Sequence, residues 1–436
     1  MPIRRKILVS IAVLFLAVVV WVSIPVYYFF AFADGSTLPA TPWVALPTDA
    51  PMQPYEGDSL YKEVGNSLLG AMDEHRQSIG AAGISAAVLV GSEVVWAGTT
   101  GWSSIENNEQ ATPATRFRVG STAKALTATG LARVIESGHL TLDTPLRELW
   151  NEVPNKAWED ITPRQLGSHM AGIPHYGENK DIVGLWHSVT MKQHFNSVHD
   201  ALKLFDNSQL LFEPGTDFYY STYGTVLNSA AMSKAMGKPY LDIMHELVFK
   251  PAGMDSVVVA PSSEDELPNV ATPYHNNGKL ESEFRLRPWH DVDLSHRLAG
   301  GGFAATSTDL VKLGRHYFDD SNPNTIPSVI REEFWTPQKL LSGEKNEQDY
   351  GIGFRVRKAE FIEGVQFKQM NHGGVSRGGQ SWLMLLPEQE MAIALNINGR
   401  TEVFWDFGSF SYDIAKAFIG RKLALESESK QISAQN

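Results

Sequence analysis

Cysteine is absent from the 436 residues of this chain. Disulfide bonds, thiolate nucleophiles and zinc sites with cysteine ligands are therefore excluded. Basic residues are also outnumbered by acidic ones. The chain has 37 lysines and arginines and 49 aspartates and glutamates, which gives a formal net charge of -12. Nucleic-acid affinity comes largely from basic side chains that displace counterions, so nucleic acid is not an expected partner. Any nucleophile in the chain must be an oxygen or an amine.

The sequence also lacks internal repeats and low-complexity tracts. Its hydrophobic content of 43% beside 20% charged residues is typical of a globular protein that buries a core. Folds that bury a large sheet often use more than about 250 residues as one unit. We therefore expect one large domain rather than several in series.

A charge-free stretch lies near the N-terminus. Residues 7–33 contain no charged side chain, and residues 4–6 are all basic. Roughly 20 apolar residues cross a bilayer as a helix, and a basic cluster stays on the cytoplasmic side. Residues 1–33 are therefore predicted to be a basic stub and a transmembrane anchor in a bacterial inner membrane, with the rest of the chain outside the cytoplasm. The alternative is a signal peptide cleaved after Ala33, since Ala31-Phe32-Ala33 has the small-x-small form that signal peptidases accept.

The rest of the chain divides by composition into a proline-rich linker, which we call the tether, a large domain, which we call the body, and a polar tail. Residues 34–57 carry five prolines, which a helix cannot accommodate, so an extended linker is predicted there. The catalytic domain is expected over residues 58–425, and residues 426–436 form a polar tail.

Strand patterns lie near both ends of this body. The β-prone runs are residues 84–90 and 94–97, which read as a hairpin, and residues 380–386 and 391–397. Helix and loop patterns fill the middle, with a mainly helical insertion at about residues 141–297. One sheet built from both chain ends is the expected architecture.

Ser121 and Lys124 form the first candidate motif. A β-prone approach leads into a predicted helix that ends near Gly138, so Ser121 lies at or near the helix N-terminus. Free backbone N–H groups there favour developing negative charge, and residues three apart share a helix face. Lys124 can therefore reach the Ser121 hydroxyl and act as its base if burial or a neighbouring cation lowers the lysine pKa.

By itself this Ser-x-x-Lys pattern is weak evidence. It occurs three more times in the chain, at Ser59 and Lys62, Ser342 and Lys345, and Ser427 and Lys430. Only the match at Ser121 joins an uncharged, β-prone approach to a long helix. The alternative at that position is an N-capping serine followed by a surface lysine.

Tyr220 is the second candidate. It follows the Pro214-Gly215 turn in a cluster of aromatic and hydroxyl residues. Tyrosine is mostly protonated at neutral pH, but a nearby lysine favours the phenolate, so the two groups could shuttle one proton. Tyr219 and Tyr223 flank it, and at least one of the three tyrosines is expected to pack in the core.

The third candidate is the stretch Asn371-His372-Gly373-Gly374-Val375, which precedes a strong strand. Its glycines would let a substrate backbone approach a strand edge, and the backbone N–H of Val375 could polarise the scissile carbonyl. The alternative is a loose glycine turn.

A fourth group carries metal-ligand side chains at irregular spacing. Its members are His290, Asp291, Asp293 and His296. A polar loop is the favoured interpretation, and the proposed chemistry requires neither a metal nor a cofactor.

Taken in order, the three motifs resemble the serine β-lactamase-like family, which includes class C β-lactamases, D-alanyl-D-alanine carboxypeptidases and related esterases. The likeness is greatest to the mitochondrial serine β-lactamase-like protein and its bacterial relatives, and it extends from about Tyr61 to Lys422. The stretches that carry it are Ile161–Leu166, Ser168–Tyr176, Tyr220–Thr222 and Ala299–Phe303.

This resemblance implies an α/β (α+β) fold of the β-lactamase/transpeptidase type, in which helices flank an antiparallel sheet. It also implies Ser121 as the acylated nucleophile, Lys124 and Tyr220 as bases, and His372 as a residue lining the site. The backbone N–H groups of Ser121 and Val375 would form the oxyanion hole.

Two departures from the family pattern affect substrate binding. Thr222 stands where many relatives carry the asparagine of Tyr-x-Asn, so the amide that would contact a β-lactam side chain is missing. His372-Gly373-Gly374 stands in place of Lys-Thr-Gly, and the lost ammonium weakens the expected grip on a substrate carboxylate. Thr222 and residues 372–375 are still assigned to the substrate and oxyanion region.

The expected function is hydrolysis of peptide, amide or ester bonds in small substrates through an acyl-enzyme. An oligomer is compatible with this function. One alternative is a penicillin-binding sensor or self-assembling scaffold with little turnover, and another is a true β-lactamase.

Overall fold

The structure, a computed structural model, describes residues 3–33, 42–55, 59–262, 267–277, 283–289 and 291–435. Helix α1 (Ile3–Ala33) opens the chain, and its stretch Ile3–Tyr27 is long and apolar enough to cross a membrane. Its most apolar window is not buried against the rest of the protein. Residues 34–41 and 56–57 of the predicted tether lie outside the described residues.

The strands, in chain order, are β1 (Val44–Ala45), β2 (Met52–Gln53), β3 (Gly83–Val90), β4 (Glu93–Ser104), β5 (Glu109–Gln110), β6 (Phe117–Arg118), β7 (Val258–Val259), β8 (Tyr274–Asn276), β9 (Arg285–Pro288), β10 (Phe303–Ala305), β11 (Arg355–Ile362), β12 (Val365–Ser376), β13 (Gly379–Leu386) and β14 (Met391–Ile397). The helices after α1 are α2 (Lys62–Ser67), α3 (Leu69–Ser78), α4 (Ala123–Glu136), α5 (Pro163–Gly167), α6 (Ile182–Thr190), α7 (Val198–Ala201), α8 (Thr222–Met236), α9 (Tyr240–Met244), α10 (Lys250–Ala252), α11 (Leu298–Gly301), α12 (Ser307–Lys312), α13 (Ser328–Phe334), α14 (Phe404–Gly408) and α15 (Phe410–Gln435).

The largest sheet is antiparallel, with the strand order β11-β12-β13-β14-β3-β4-β2 and β5 added to β4. Its centre joins the two ends of the body, since β14 pairs with β3 in the register Ile393 opposite Val88. Strands β3 and β4 form the predicted hairpin, whose turn places Gly91 at φ +61°, and β13 pairs with β14. The expected antiparallel sheet built from both chain ends is confirmed.

Apolar clusters cover both faces of this sheet. Successive residues of β3 point to opposite faces, so Ala87 and Leu89 pack with α4 and α8, while Ala86 and Val88 pack with α15. A strand buried on both faces reads as a continuous apolar run, which is why β3 shows no polar alternation.

Two segments differ from the expected boundaries. Residues 42–55 were predicted as linker, but β1 pairs with β9 and β2 pairs with β4, so this part of the segment belongs to the body. The closing helix α15 continues to Gln435 through the predicted polar tail, where residues 426–433 are exposed. Within residues 141–297, α5–α10 dominate over the short strands β7–β9, in line with the expected helical insertion.

Candidate active site

Ser121 lies where strand β6 gives way to helix α4. Gly120 has φ +51° and starts a single 3-10 turn, Gly120–Thr122, that leads directly into α4. A Cβ on Gly120 would come within 2.6 Å of the Val375 carbonyl carbon, so only glycine lets the Ser121 turn lie against the backbone of β12. The third motif is therefore a strand packed against the Ser121 turn and not a loose turn.

Lys124 is placed as the spacing predicts. Its side chain is buried, and its Nζ lies 3.2 Å from Ser121 Oγ, 3.0 Å from Thr222 Oγ1 and 2.8 Å from the Gly300 carbonyl oxygen. The prediction that Lys124 reaches the Ser121 hydroxyl is confirmed, and the interpretation of Lys124 as a surface residue is wrong. An amine held by two oxygen acceptors beside a hydroxyl is positioned to take its proton.

Burial changes the protonation state of the Lys124 amine. Desolvation lowers the pKa of Lys124 well below its ordinary value, and the positive charges of Arg297 and Arg355 lower it further. The neutral amine is thereby favoured, and a neutral amine can accept the Ser121 proton.

Tyr220 completes the group from a third segment. Lys124 Nζ lies 4.9 Å from the centre of the Tyr220 ring. Burial raises the pKa of Tyr220 to about 12, although a hydrogen bond with the Ser121 hydroxyl opposes the rise. The expectation that lysine would favour a phenolate is therefore wrong for this site, because desolvation outweighs the neighbouring charges. Tyr220 is a protonated phenol here.

The two neighbouring tyrosines have other positions. Tyr223 is buried and stacks on Phe205 with ring centres 4.4 Å apart, as expected for a core residue. Tyr219 is 36% exposed and faces away from the core.

Two histidines hold the Tyr220 loop by accepting backbone hydrogen bonds. The N–H of Ser221 donates to His169 Nδ1 at 3.3 Å, and the N–H of Thr222 donates to His175 Nδ1 at 3.2 Å. Burial lowers the pKa of His169 well below its usual range and that of His175 to about 3, so both rings are neutral acceptors. These contacts orient the loop that carries Tyr220.

His372 lies next to the site, with its ring centre 6.3 Å from that of Tyr220, although it is not one of the cavity-lining residues. It is completely buried, with Nε2 2.9 Å from the Tyr350 hydroxyl and Nδ1 2.8 Å from the Gly373 carbonyl oxygen. Burial lowers the pKa of His372 well below its ordinary value. The neutral ring therefore packs beside Tyr220 and against Tyr350, whose ring centre lies 5.9 Å away.

Gly373 and Val375 point to the cavity side of β12, whereas Gly374 points to the Ser121 turn. Gly373 and Val375 line the cavity, and a Cβ on Gly374 would overlap the Val119 carbonyl oxygen. Thr222 lines the same cavity, and its hydroxyl accepts from Lys124.

The cavity in front of Ser121 has a volume of about 640 Å³. Ser121, Tyr220 and Thr222 line it. An aromatic wall contributed by β13, α14 and α15 also lines it, with the members Trp382, Phe404, Trp405 and Tyr412. The sheet and the closing helices therefore supply an apolar surface beside the nucleophile.

Three arginines that sequence reasoning missed also line the cavity. They are Arg297, Arg355 and Arg357. Arg355 donates through Nε to Gln348 at 3.1 Å, and Arg297 donates to the Ser376 hydroxyl at 2.8 Å. Arg355 and Arg357 are two apart on β11 and so share one face of the strand, a signal that was present in the sequence. Guanidinium groups bind carboxylates, so these three side chains give the cavity a region suited to an anionic group.

The fourth sequence group shows no arrangement suited to a metal. Among the residues that the structure describes, no cluster of three or more histidines, aspartates or glutamates is disposed to hold an ion. His290 lies outside the described residues, Asp293 accepts from the Ser295 backbone N–H, and His296 is buried 4.4 Å from the His187 ring.

Comparison with known proteins agrees with this geometry. Residues 69–407 match the family model described as Beta-lactamase. The human mitochondrial serine beta-lactamase-like protein LACTB is 29% identical over 391 residues, covering 72% of this chain and 70% of that protein.

Solved structures share the fold. The octameric penicillin-binding protein homologue from Pyrococcus abyssi superposes with a TM-score of 0.64 at 22% identity, covering 81% of this chain and 77% of its own. The D-amino acid amidase from Ochrobactrum anthropi superposes with a TM-score of 0.64 at 20% identity, covering 83% of this chain and 99% of its own.

Proposed function

The chain belongs to the beta-lactamase family, and from that premise we propose that it is a membrane-anchored serine hydrolase that cleaves small peptide, amide or ester substrates through an acyl-enzyme on Ser121. The single observation that supports this most is the contact between a buried, desolvated Lys124 and the Ser121 hydroxyl. Serine hydrolases of the β-lactamase and penicillin-binding type act on amides and esters.

Acylation begins when Lys124 accepts the Ser121 proton. Ser121 Oγ then bonds to the substrate carbonyl carbon, and the bond to the amine or alcohol breaks. The leaving group needs a proton, which Tyr220 supplies as a protonated phenol and regains from the Lys124 ammonium. In deacylation a water attacks the ester, its proton returns through the same pair, and Ser121 is released as a hydroxyl.

The oxyanion formed in each step is proposed to rest on the backbone N–H groups of Ser121 and Val375. The close approach of the Gly120 turn to the Val375 backbone supports this, because it brings the two segments into contact. Gly373 and Gly374 keep the substrate edge of β12 free of side chains.

The cavity favours a substrate with a carboxylate and an apolar group. Arg355 and Arg357 would bind the carboxylate, and the aromatic wall would cover the apolar part. Thr222 offers only a hydroxyl that Lys124 already occupies, which argues against efficient cleavage of β-lactams.

We also propose that α1 spans a bacterial inner membrane and leaves the catalytic domain outside the cytoplasm. Its apolar length and the basic residues 4–6 support this orientation.

The function is tested by labelling the purified protein with a fluorophosphonate and with a penicillin. We expect rapid fluorophosphonate labelling that Ser121→Ala abolishes and that Ser342→Ala, at an unrelated Ser-x-x-Lys match, leaves unchanged. A penicillin adduct released within minutes supports a turning-over enzyme, whereas a permanent adduct supports the sensor or scaffold alternative. Turnover of an ester substrate by Ser121→Ala would contradict the site assignment.

A further inference from the structure

Helix α6 exposes its apolar side chains to solvent instead of burying them. Its inward positions are the capping residue Asp181, Gly184 and His187, all buried, while its outer face is apolar and exposed. The outer face consists of Ile182, Val183, Leu185 and Trp186, with exposed fractions of 80%, 47%, 45% and 42%. A surface helix of a soluble protein normally buries its apolar stripe.

The inward side chains make this orientation obligatory. Asp181 caps the helix by accepting the Val183 N–H at 2.8 Å, and its second oxygen accepts the Asn207 N–H at 3.2 Å. A Cβ on Gly184 would overlap the Leu204 carbonyl oxygen. A rotation that buried the apolar residues would break these contacts, so the outer face stays outside.

The membrane-spanning candidate α1 lies against α6. In the stretch Ile3–Tyr27, the described side chains are exposed except for Pro25 and Val26, which are half-buried. These two lie at the C-terminal end of this stretch. The contact therefore puts α6 at the level where a spanning helix would emerge from the bilayer.

The charged residues at the ends of α6 are consistent with a position at the membrane interface. Lys180 and Lys192 flank the helix and are exposed, so their ammonium groups can reach lipid phosphates while the apolar residues between them enter the interface. The net charge of -12 on the whole chain argues against general attraction to anionic lipid, so burial of apolar area must dominate.

We propose that the α6 outer face docks into the interfacial layer of the bilayer that α1 spans. This inference rests on the proposed span of α1. Docking would bring the catalytic side of the protein towards the membrane surface, because the buried side of α6 reaches the cavity wall through His296. His187 packs on His296, which lies 6.2 Å from the cavity residue Tyr176. The lipid would be separated from the cavity by one helix diameter, roughly 10–12 Å, and in addition by His296 and Tyr176.

The absence of native cysteine allows a direct test in the full chain. Single variants Leu185→Cys, Leu341→Cys and Leu14→Cys would carry an environment-sensitive fluorophore, and each protein would be placed in phosphatidylcholine nanodiscs that contain nitroxide lipids. Leu341 is 75% exposed and far from α6 in sequence, so it serves as the matched control, and Leu14 reports on the span. Fluorophosphonate labelling of Ser121 confirms that each variant is folded.

We expect blue-shifted emission at position 185 and quenching by lipid nitroxides at least about twofold stronger than at position 341, since interfacial helices enter roughly 5–10 Å into the headgroup boundary. High salt should leave the quenching unchanged, because apolar burial is not screened. Equal quenching at 185 and 341 with strong quenching at 14 overturns the docking and leaves the span intact. Absence of quenching at 14 overturns both, while the serine chemistry is judged separately by its label.

A second copy of the chain is the competing occupant. Disulfide cross-linking between two Leu185→Cys chains in one nanodisc, without lipid quenching, would overturn docking to the bilayer.

Discussion

Helices α4 and α6 both depart from the usual burial pattern, because α4 buries an amine and α6 exposes apolar side chains. Helix α4 carries Lys124 into a desolvated position among apolar neighbours, whereas α6 carries four apolar side chains outward and buries an aspartate and a histidine. The polar group in α4 is held by Ser121, Thr222 and Gly300. Each departure costs stability, and each is retained where a ligand can use it: a substrate at α4 and a lipid surface at α6.

The largest effect is expected from removing the amine of α4. Lys124→Met keeps a similar length but cannot accept the Ser121 proton, so fluorophosphonate inactivation should slow by about 10²–10⁴-fold. The melting temperature should not fall, because the change replaces a desolvated amine with an apolar group. Lys345→Met is the control, and a comparable rate loss in that variant would contradict the distinction between the two Ser-x-x-Lys matches.

The next largest effect is expected from disturbing the packing between β12 and the turn that precedes α4. Gly374→Ala puts a methyl group into the Val119 carbonyl oxygen, so the free energy of unfolding should fall by about 1–3 kcal/mol in urea titrations. Gly70→Ala lies on helix α3 with open space around its Cβ and should be stabilising by about 0.5–1 kcal/mol. Equal stability of the two variants would show that β12 does not press on the Ser121 turn.

A smaller effect separates the two sides of α6. In detergent, Asp181→Ala removes the helix cap and should lower the free energy of unfolding by about 0.5–2 kcal/mol. Ile182→Ser, one residue away on the exposed side, should change it by less than about 0.5 kcal/mol. A larger loss of stability in Ile182→Ser than in Asp181→Ala would mean that the apolar face of α6 packs within the protein. The contrast drawn between α4 and α6 would then be wrong.

The smallest effect is a shift in pH dependence. Acylation should decline as pH falls through the Lys124 pKa, because the ammonium cannot accept a proton. Arg355→Gln removes a positive neighbour, so the pKa of Lys124 rises and the acidic limb moves to higher pH. Arg357→Gln, which lines the cavity without lowering this pKa, should leave the limb in place. A neutral fluorophosphonate as the probe avoids any effect on carboxylate binding, and identical profiles would contradict the assigned base.

Histidine titration does not complicate this profile. Burial lowers the pKa of His175 to about 3 and those of His169 and His372 well below their usual range. The three rings therefore stay neutral through the pH range of the measurement.

The local pattern predicted much of the fold and the contact between Ser121 and Lys124. The three-residue spacing from Ser121 to Lys124 places both on one helix face whatever surrounds them, and uninterrupted β-prone runs marked β3, β13 and β14. The charge-free stretch marked α1 in the same way. Features of this kind depend on neighbours within one element, which the order of residues specifies directly.

Tertiary structure decided the rest. The neutral state of Lys124, the protonated state of Tyr220, the inward turn of His372 and the three arginines of the cavity all depend on segments remote in sequence. Desolvation and Coulomb interactions act through space, so a pKa is set by whichever chains converge on the group. A surface helix normally buries its apolar stripe, and in α6 the contacts of Asp181 and Gly184 with neighbouring loops turn that stripe outward.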